Sequence, residues 1–249
     1  FISITYGAGG GTRKNTVEIA SMVQEEFHVT SIAHLTCFSS TPDEVDGLIE
    51  NIKAHHIENI LALRGDPPKG NAQPLPGYYQ HACQLIEQIR RHGDFCIGGA
   101  CYPEGHVECA NRELDLDYLK MKVDAGCSFL TTQMFFDNNI LYRFLYRALA
   151  KGIDVPIFAG IMPVINAKQI KRSVQLSGTE LPNRFIGIID KFGDDPQAMK
   201  QAGIAYATEQ IIDLIANGVK GIHLYTMNRP EVAAAIFHNL SHILGRDDV

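Results

Sequence analysis

Arg64-Gly65-Asp66 sets a fixed cation and a carboxylate on either side of a glycine, directly after the apolar run Asn59–Leu63. Such a pair can hold an anionic group with the guanidinium while the carboxylate accepts hydrogen bonds from a heterocycle; equally, the two charges can bridge each other. Gln133 closes another apolar run and offers the donor and acceptor that read an amide-like edge, or else stands as a satisfied core glutamine. His34 lies inside a β-rich run, where a packed imidazole is the ordinary outcome, whereas His106 follows Tyr102-Pro103-Glu104-Gly105 on what reads as a loop. Asp115 and Lys122 are spaced i, i+7 on one helical stretch and so share a face. Lys122 reads as a surface lysine or as a phosphate ligand.

Gly7-Ala8-Gly9-Gly10-Gly11-Thr12 follows a strand and precedes a helix, the setting of a phosphate-cradling turn. Thr12, however, stands where the dinucleotide fingerprint has its third glycine, and the acidic residues that would clamp a ribose, Glu25 and Glu26, fall inside a helix. A turn that lets a flat ligand approach the backbone fits better. No H-x-H or H-E-x-x-H occurs, and none of the six cysteines forms a C-x-x-C pair, so no metal site is expected. The cysteines read as reduced thiols of a cytoplasmic protein, with Cys37, Cys96 and Cys101 as small hydrophobes in apolar strands. His55, His56, His81, His92, His238 and His242 fall on helical stretches as solvated or capping residues.

The elements that must position these groups alternate regularly. β-rich runs at Phe1–Tyr6, Ser31–Cys37, Asn59–Leu63, Phe95–Cys101, Phe129–Phe135, Pro156–Ile161 and Gly221–Tyr225 are separated by stretches of helical period. The helices are expected near 14–27, 42–56, 78–92, 112–126, 139–151, 166–177, 198–217 and 230–244, with a short added helix in Leu181–Phe192. Thr41-Pro42-Asp43-Glu44 starts one of them with a capping threonine and proline at the first helical position. Gly126 and Gly218 stop others. Each polar cluster falls at the carboxyl end of a strand, the active face of a (β/α)8 barrel. Seven strand–helix units are too many for a small doubly wound sheet. The expected fold is therefore an α/β (β/α)8 TIM barrel, one domain over residues 1–249, with its first strand outside this sequence.

Composition narrows the function. The 249 residues carry 22 basic against 28 acidic side chains, a formal net charge of -6, which argues against a nucleic-acid partner. No apolar run approaches the roughly 20 residues of a membrane-spanning helix. With 45% hydrophobic residues the chain is no disordered segment. It opens Phe1-Ile2-Ser3-Ile4 without methionine or a signal-peptide charge pattern, already inside a strand.

Taken in order, these segments resemble methylenetetrahydrofolate reductases over Phe1 to about Leu244. The carriers are Ser3–Gly7, Ala33–Cys37, Ala62-Leu-Arg-Gly-Asp66, Ala100-Cys-Tyr-Pro-Glu104, Lys122–Gly126, Thr132-Gln-Met-Phe-Phe-Asp137, Gly160-Ile-Met-Pro163 and Tyr225-Thr-Met-Asn-Arg229. The resemblance implies bound FAD, NADH or NADPH as electron source, methylenetetrahydrofolate as substrate, a homo-oligomer and a cytoplasmic location. It implies FAD contacts for Tyr6, Ala8, His34, Arg64, Gly65, Asp66, Tyr102, His106, Asp115, Tyr118 and Lys122. Thr5 and Gln133 would serve the nicotinamide, and Asp66, Gln133, Gln169 and Arg229 the folate. Asp66 and Gln133 are the expected catalytic pair, Asp66 tuning the flavin and binding the pterin.

Two departures stand out. The family places its proton donor, a glutamate, on the first barrel strand in a motif resembling F-E-F-F-P-P, and this chain has no such motif. Where some members carry an aromatic after Gly160–Pro163, this chain has Ser173 amid Lys168, Lys171 and Arg172. A non-catalytic flavin- or folate-binding barrel is thus the alternative, and a Rossmann-type NAD dehydrogenase, resting on Gly7–Thr12 alone, the third.

Overall fold

Thr41 caps its helix as its sequence asks. The Glu44 N–H donates to the Thr41 hydroxyl while the Glu44 carboxylate accepts from the Thr41 N–H at 2.9 Å, a closed capping box ahead of Pro42. The same local logic starts the helix Pro196–Ala216, where Asp195 accepts from Gln197 N and Ala198 N and Pro196 takes the first helical position. The computed structural model describes residues 1–5, 13–38, 40–66 and 78–245. Its elements are β1 (Ile2–Ile4), α1 (Arg13–Phe27), β2 (Ser31–Thr36), α2 (Pro42–Ala54), β3 (Asn59–Leu63), α3 (Ala82–His92), β4 (Cys96–Cys101) and α4 (Arg112–Asp124). They continue with β5 (Phe129–Thr132), α5 (Asn138–Ala150), β6 (Ile157–Ile161), α6 (Ala167–Ser177), α7 (Asn183–Phe192), α8 (Pro196–Ala216), β7 (Ile222–Leu224) and α9 (Pro230–Leu240).

Strand order follows the sequence, β1 to β7, which makes this the α/β fold expected, a parallel sheet with helical crossovers. The chain divides into two compact units, Phe1–Ala100 with Tyr118–Leu130, and Cys101–Asp117 with Thr131–Val249.

In the first unit β1, β2, β3 and β4 pair in parallel, with Ile2 opposite Ser31, Ala33 opposite Ile60 and Asn59 opposite Cys96. Their inner residues Ala33, Leu35, Ile60, Ala62 and Ile97 are fully buried. α2 supplies Val45, Ile49 and Ile52 and α3 supplies Leu85, Ile86 and Ile89, each set on one helical face. Polar groups tie the two helices outside that core. His92 of α3 lies 2.5 Å from Asp46 and 2.8 Å from Glu50, both on α2, and so bridges helices rather than standing solvated.

In the second unit β6 and β7 pair in parallel with Ala159 opposite Ile222, and Thr132 at the end of β5 accepts from Gly160 N at 2.8 Å. The core here is built by Met134, Phe136, Val164, Ile170, Phe185, Ile189 and Met199. The added segment read in the sequence is α7, and it is there to fill this core. Phe185 stacks on Phe136 at 5.1 Å between centroids and tilts against Tyr206, whose hydroxyl donates to Phe136 O. Gly203 lets α8 press against the backbone after β6, since a Cβ there would lie 1.8 Å from Val164 O.

Three expectations shift. β5 ends at Thr132 rather than Phe135, because the Gln133 side chain takes the Met134 N–H at 2.9 Å and ends the ladder. α3 starts at Ala82, four residues later than its period suggests, because Gln84 reaches back to accept from Gln80 N and His81 N. Cys96 opens β4 and is exposed, whereas Cys37 and Cys101 are buried as expected of small hydrophobes.

Candidate active site

The first unit gathers its polar residues behind β1, β2 and β3. Thr5 follows β1, and its carbonyl accepts from the Thr16 hydroxyl at 3.1 Å. Tyr6, Ala8 and the rest of the glycine-rich run Gly7–Thr12 lie outside the described residues. His34 is half-buried within β2. The chain leaving β2 is knitted to the chain leaving β3, since Cys37 N and Phe38 N both donate to Arg64 O, at 3.2 and 2.8 Å. This puts the Arg64 guanidinium 5.8 Å over the Phe38 ring, a cation–π contact that orients the cation. Burial pushes the neighbouring Cys37 thiol up to about 12, which keeps it an unreactive hydrophobe.

Gly65 has φ +86, and a Cβ at this position would come within 3.0 Å of Thr36 Cβ, so the turn is open to glycine alone. Asp66 behind it is exposed, and the Arg64 Nε donates to Gly65 O at 3.4 Å. Lys122, in the last turn of α4, donates its Nζ to Ala100 O at the end of β4, so it is drawn to a strand end rather than left on the surface. Tyr118 is 46% exposed and stacks on His81 at 6.1 Å.

The second unit has its own set. Tyr102 and His106 meet edge to face at 4.6 Å across a turn closed by Gly105 N donating to Tyr102 O. Asp115 is in the first turn of α4, whose start Asn111 caps by accepting from Glu113 N and Leu114 N. Gln133 follows β5 with its N–H donating to Cys101 O at 2.7 Å. Gln169 sits exposed in the first turn of α6, where Asn166 accepts from Lys168 N and Gln169 N. Arg229 is the exposed N-cap of α9, presented by Met227 and Asn228, both at positive φ (49 and 55). Two consecutive non-glycine residues in the left-handed region hold strain that the turn must offset.

Tyr225 had no assigned role in the sequence and emerges as a brace. Its hydroxyl donates to Thr132 O at 2.8 Å, and its ring meets His223 edge-on at 4.8 Å. Burial, with Cys101 and Tyr102 adding to it, pushes the phenol well above its usual range and keeps it a donor. Among the described residues no three His, Cys, Asp or Glu side chains are grouped to hold a metal ion, and no helix is long and apolar enough to cross a membrane. A surface cavity of about 460 Å³ between α8 and α9 is lined by Lys200, Ile204 and Ala235 among others, away from the strand ends.

The sequence pattern of the family described as methylenetetrahydrofolate reductase matches residues 1–241. The chain belongs to that family. It is 38% identical over 240 residues to the 5,10-methylenetetrahydrofolate reductase of Escherichia coli, covering 96% of this chain and 80% of that one. It is also 38% identical to the methylenetetrahydrofolate reductase (NADH) 1 of Zea mays, covering 98% of this chain but only 43% of the maize protein. The chain thus spans less than half the length of its plant relatives in the reductase family. Among solved structures, an uncharacterized protein from Clostridium thermocellum that binds two copies of 5-methyl-5,6,7,8-tetrahydrofolic acid superposes with a TM-score of 0.58 at 16% identity. That likeness covers 98% of this chain and 95% of the other, and it supports the fold.

Proposed function

We propose that the chain reduces 5,10-methylenetetrahydrofolate to 5-methyltetrahydrofolate, with NADH or NADPH as electron source and FAD bound, on a (β/α)8 barrel. The observation that carries this reading is the placement of three family motifs, Ala62–Asp66, Ala100–Glu104 and Thr132–Asp137, each at the carboxyl end of its own strand. The name of the maize relative supports a nicotinamide donor, and the folate bound by the clostridial protein supports the substrate class. The reading carries with it a homo-oligomer in the cytoplasm.

The residues present fit FAD by the chemistry of their donor set. Arg64, His34 and Lys122 suit a pyrophosphate, Asp66 suits a ring N–H, and the Gly65 turn bars any side chain from the backbone there. Tyr102, His106, Asp115 and Tyr118 belong to the same proposed set, as do Thr5, Tyr6 and Ala8. When bound, the flavin supplies a two-electron relay that accepts a hydride from the nicotinamide and returns it to the folate.

The protein's part is orientation and charge. Asp66, as a carboxylate, disfavours negative charge building beside it and holds the pterin through its N–H groups. Gln133, with its Oε1 engaged by Met134 N–H, is left to present its Nε2 donor to a substrate carbonyl or ring nitrogen. Arg229 pairs with a folate carboxylate, and Gln169 adds a polar contact at the start of α6. The nicotinamide and folate use the site in turn, which gives ping-pong kinetics. The test is anaerobic: the purified protein should be yellow, bleach with NADH or NADPH, and recover its colour on adding methylenetetrahydrofolate. A colourless protein that refuses flavin refutes the reading. Bleaching without recovery favours the second reading, a flavin- or folate-binding barrel that does not turn over the folate.

A further inference from the structure

Glu104 lies in the turn that carries Tyr102 and His106, yet its carboxyl is engaged elsewhere. Its Oε2 accepts from Glu180 N at 2.8 Å, across the segment that follows α6. Its Oε1 is buried and has no hydrogen-bond partner among the described residues. A second contact lies beside the first: Gly178, at φ +67, packs so closely on Val107 that a Cβ would come within 2.6 Å of Val107 Cγ1. A third ties the same segment to the end of β5, where the buried Thr179 hydroxyl donates to Met134 O at 3.1 Å and accepts from Ser177 Oγ at 2.9 Å. Residues 177–180 are thus fastened at once to the loop after β4 and to the residue that follows Gln133.

We infer that Glu104 is a positioning residue: it latches the end of α6 to the β4 loop and so fixes Gln169, at the other end of α6, relative to Tyr102, His106 and Gln133. α6 is short, eleven residues, with Ile170 fully buried, so restraint at its C-terminal end is carried rigidly to its first turn. Of the three fastenings, the Glu104 carboxylate supplies the hydrogen bond made by a side chain of the β4 loop. Burial holds the carboxyl above the usual glutamate range; the hydrogen bond from Glu180 N and the Arg112 charge oppose this, and the Glu180 and Asp137 carboxylates add to it. The unpartnered Oε1 is the oxygen that accommodates the proton, and Oε2 remains an acceptor in either state.

The test compares Glu104→Ala with Glu104→Gln, whose amide oxygen can still accept from Glu180 N. Amide hydrogen exchange at Glu180 should quicken roughly tenfold in Glu104→Ala, the size of one lost hydrogen bond, and stay near wild type in Glu104→Gln. The kinetic arm rests on the reductase reading: KM for methylenetetrahydrofolate should rise roughly tenfold in Glu104→Ala, while the rate of flavin reduction by NADH is unmoved and Glu104→Gln restores the KM. Unchanged Glu180 exchange in Glu104→Ala overturns the latch, as does a Glu104→Gln variant that behaves like the alanine. If wild type fails to turn over the folate, the reductase reading falls and the exchange arm alone decides the latch. Should Glu104→Ala not fold, Glu104→Asp, one methylene short of Glu180 N, carries the same comparison.

Discussion

Replacing Gly203 with alanine should destabilise the protein even though alanine is the better helix former. A Cβ on Gly203 would lie 1.8 Å from Val164 O and 2.6 Å from Val164 C, both backbone atoms with no rotamer to yield. To reach even a 3.0 Å separation, α8 must part from the loop after β6, opening the contact among Val164, Ile170 and Met199. Overpacking of this kind costs up to about 3 kcal/mol, and the gain in helix propensity offsets about 1 kcal/mol of it. The net loss of about 2 kcal/mol corresponds to a melting temperature lower by about 4–8 °C in a chain of this size. Gly187 in α7 is the control, because it is exposed and nothing lies within 4 Å of the place a methyl group would take. Gly187→Ala should therefore stabilise, by about 0.5–1 kcal/mol. Thermal melts followed by circular dichroism, with urea titrations to obtain free energies, measure both. A Gly203→Ala protein that melts at or above wild type, or two variants that shift alike, refutes the packing argument.

Further outcomes are expected at the titratable and hydrogen-bonding groups. Burial holds the His223 imidazole below its usual range, so the unfolded chain takes up a proton first as pH falls. Stability is full above the ordinary histidine range and declines below it, and His223→Gln should flatten that acid limb in pH-dependent melts. His92 has the opposite sign: its bond to Glu50, then that to Asp46, holds its pKa up, so its contribution is full at low pH and fades as pH rises through the raised value. His92→Gln should remove that fade in the same melts. Tyr225→Phe deletes the hydrogen bond to Thr132 O and leaves that carbonyl without the phenol, a loss of about 1 kcal/mol readable by urea denaturation. Asp66→Asn should raise the flavin potential, speeding reduction by NAD(P)H and slowing methyl formation in stopped-flow traces; unchanged half-reactions contradict that role.

Local signals made much of this readable from residues alone. The box at Thr41 and Glu44, the alternation of β-rich and helical stretches, and the extra helix before the last strand all depend on neighbours within a few positions. Asp195-Pro196 was an equally local start signal, and it places α8 two residues earlier than its apolar period suggests. What escaped depends on how side chains turn back on the backbone or reach distant partners. Gln84 delays α3 by folding back on Gln80 and His81, and Gln133 ends β5 by turning on Met134. Cys96 looked like core because its neighbours are apolar, yet it stands at the strand's opening residue. At the site, residue types and their strand-end placement were legible for Arg64, Gly65, Asp66 and Gln133. The brace of Tyr225 and the engagement of Glu104 were not, since each is defined by a residue many positions away in the chain.

The strand order has a consequence for how such a chain is made. Each strand from β2 to β7 pairs with the one synthesised just before it, so these ladders form without waiting for a distant segment. The sheet grows by addition at a single moving margin, and the open N–H and C=O groups at that margin pass from strand to strand as synthesis proceeds. The hazard of wrong pairing is therefore a matter of timing more than of any one sequence. A pause in translation after β3 or β6 would expose a largely apolar strand with its outer edge not yet covered, and such pauses are where association between nascent copies should concentrate.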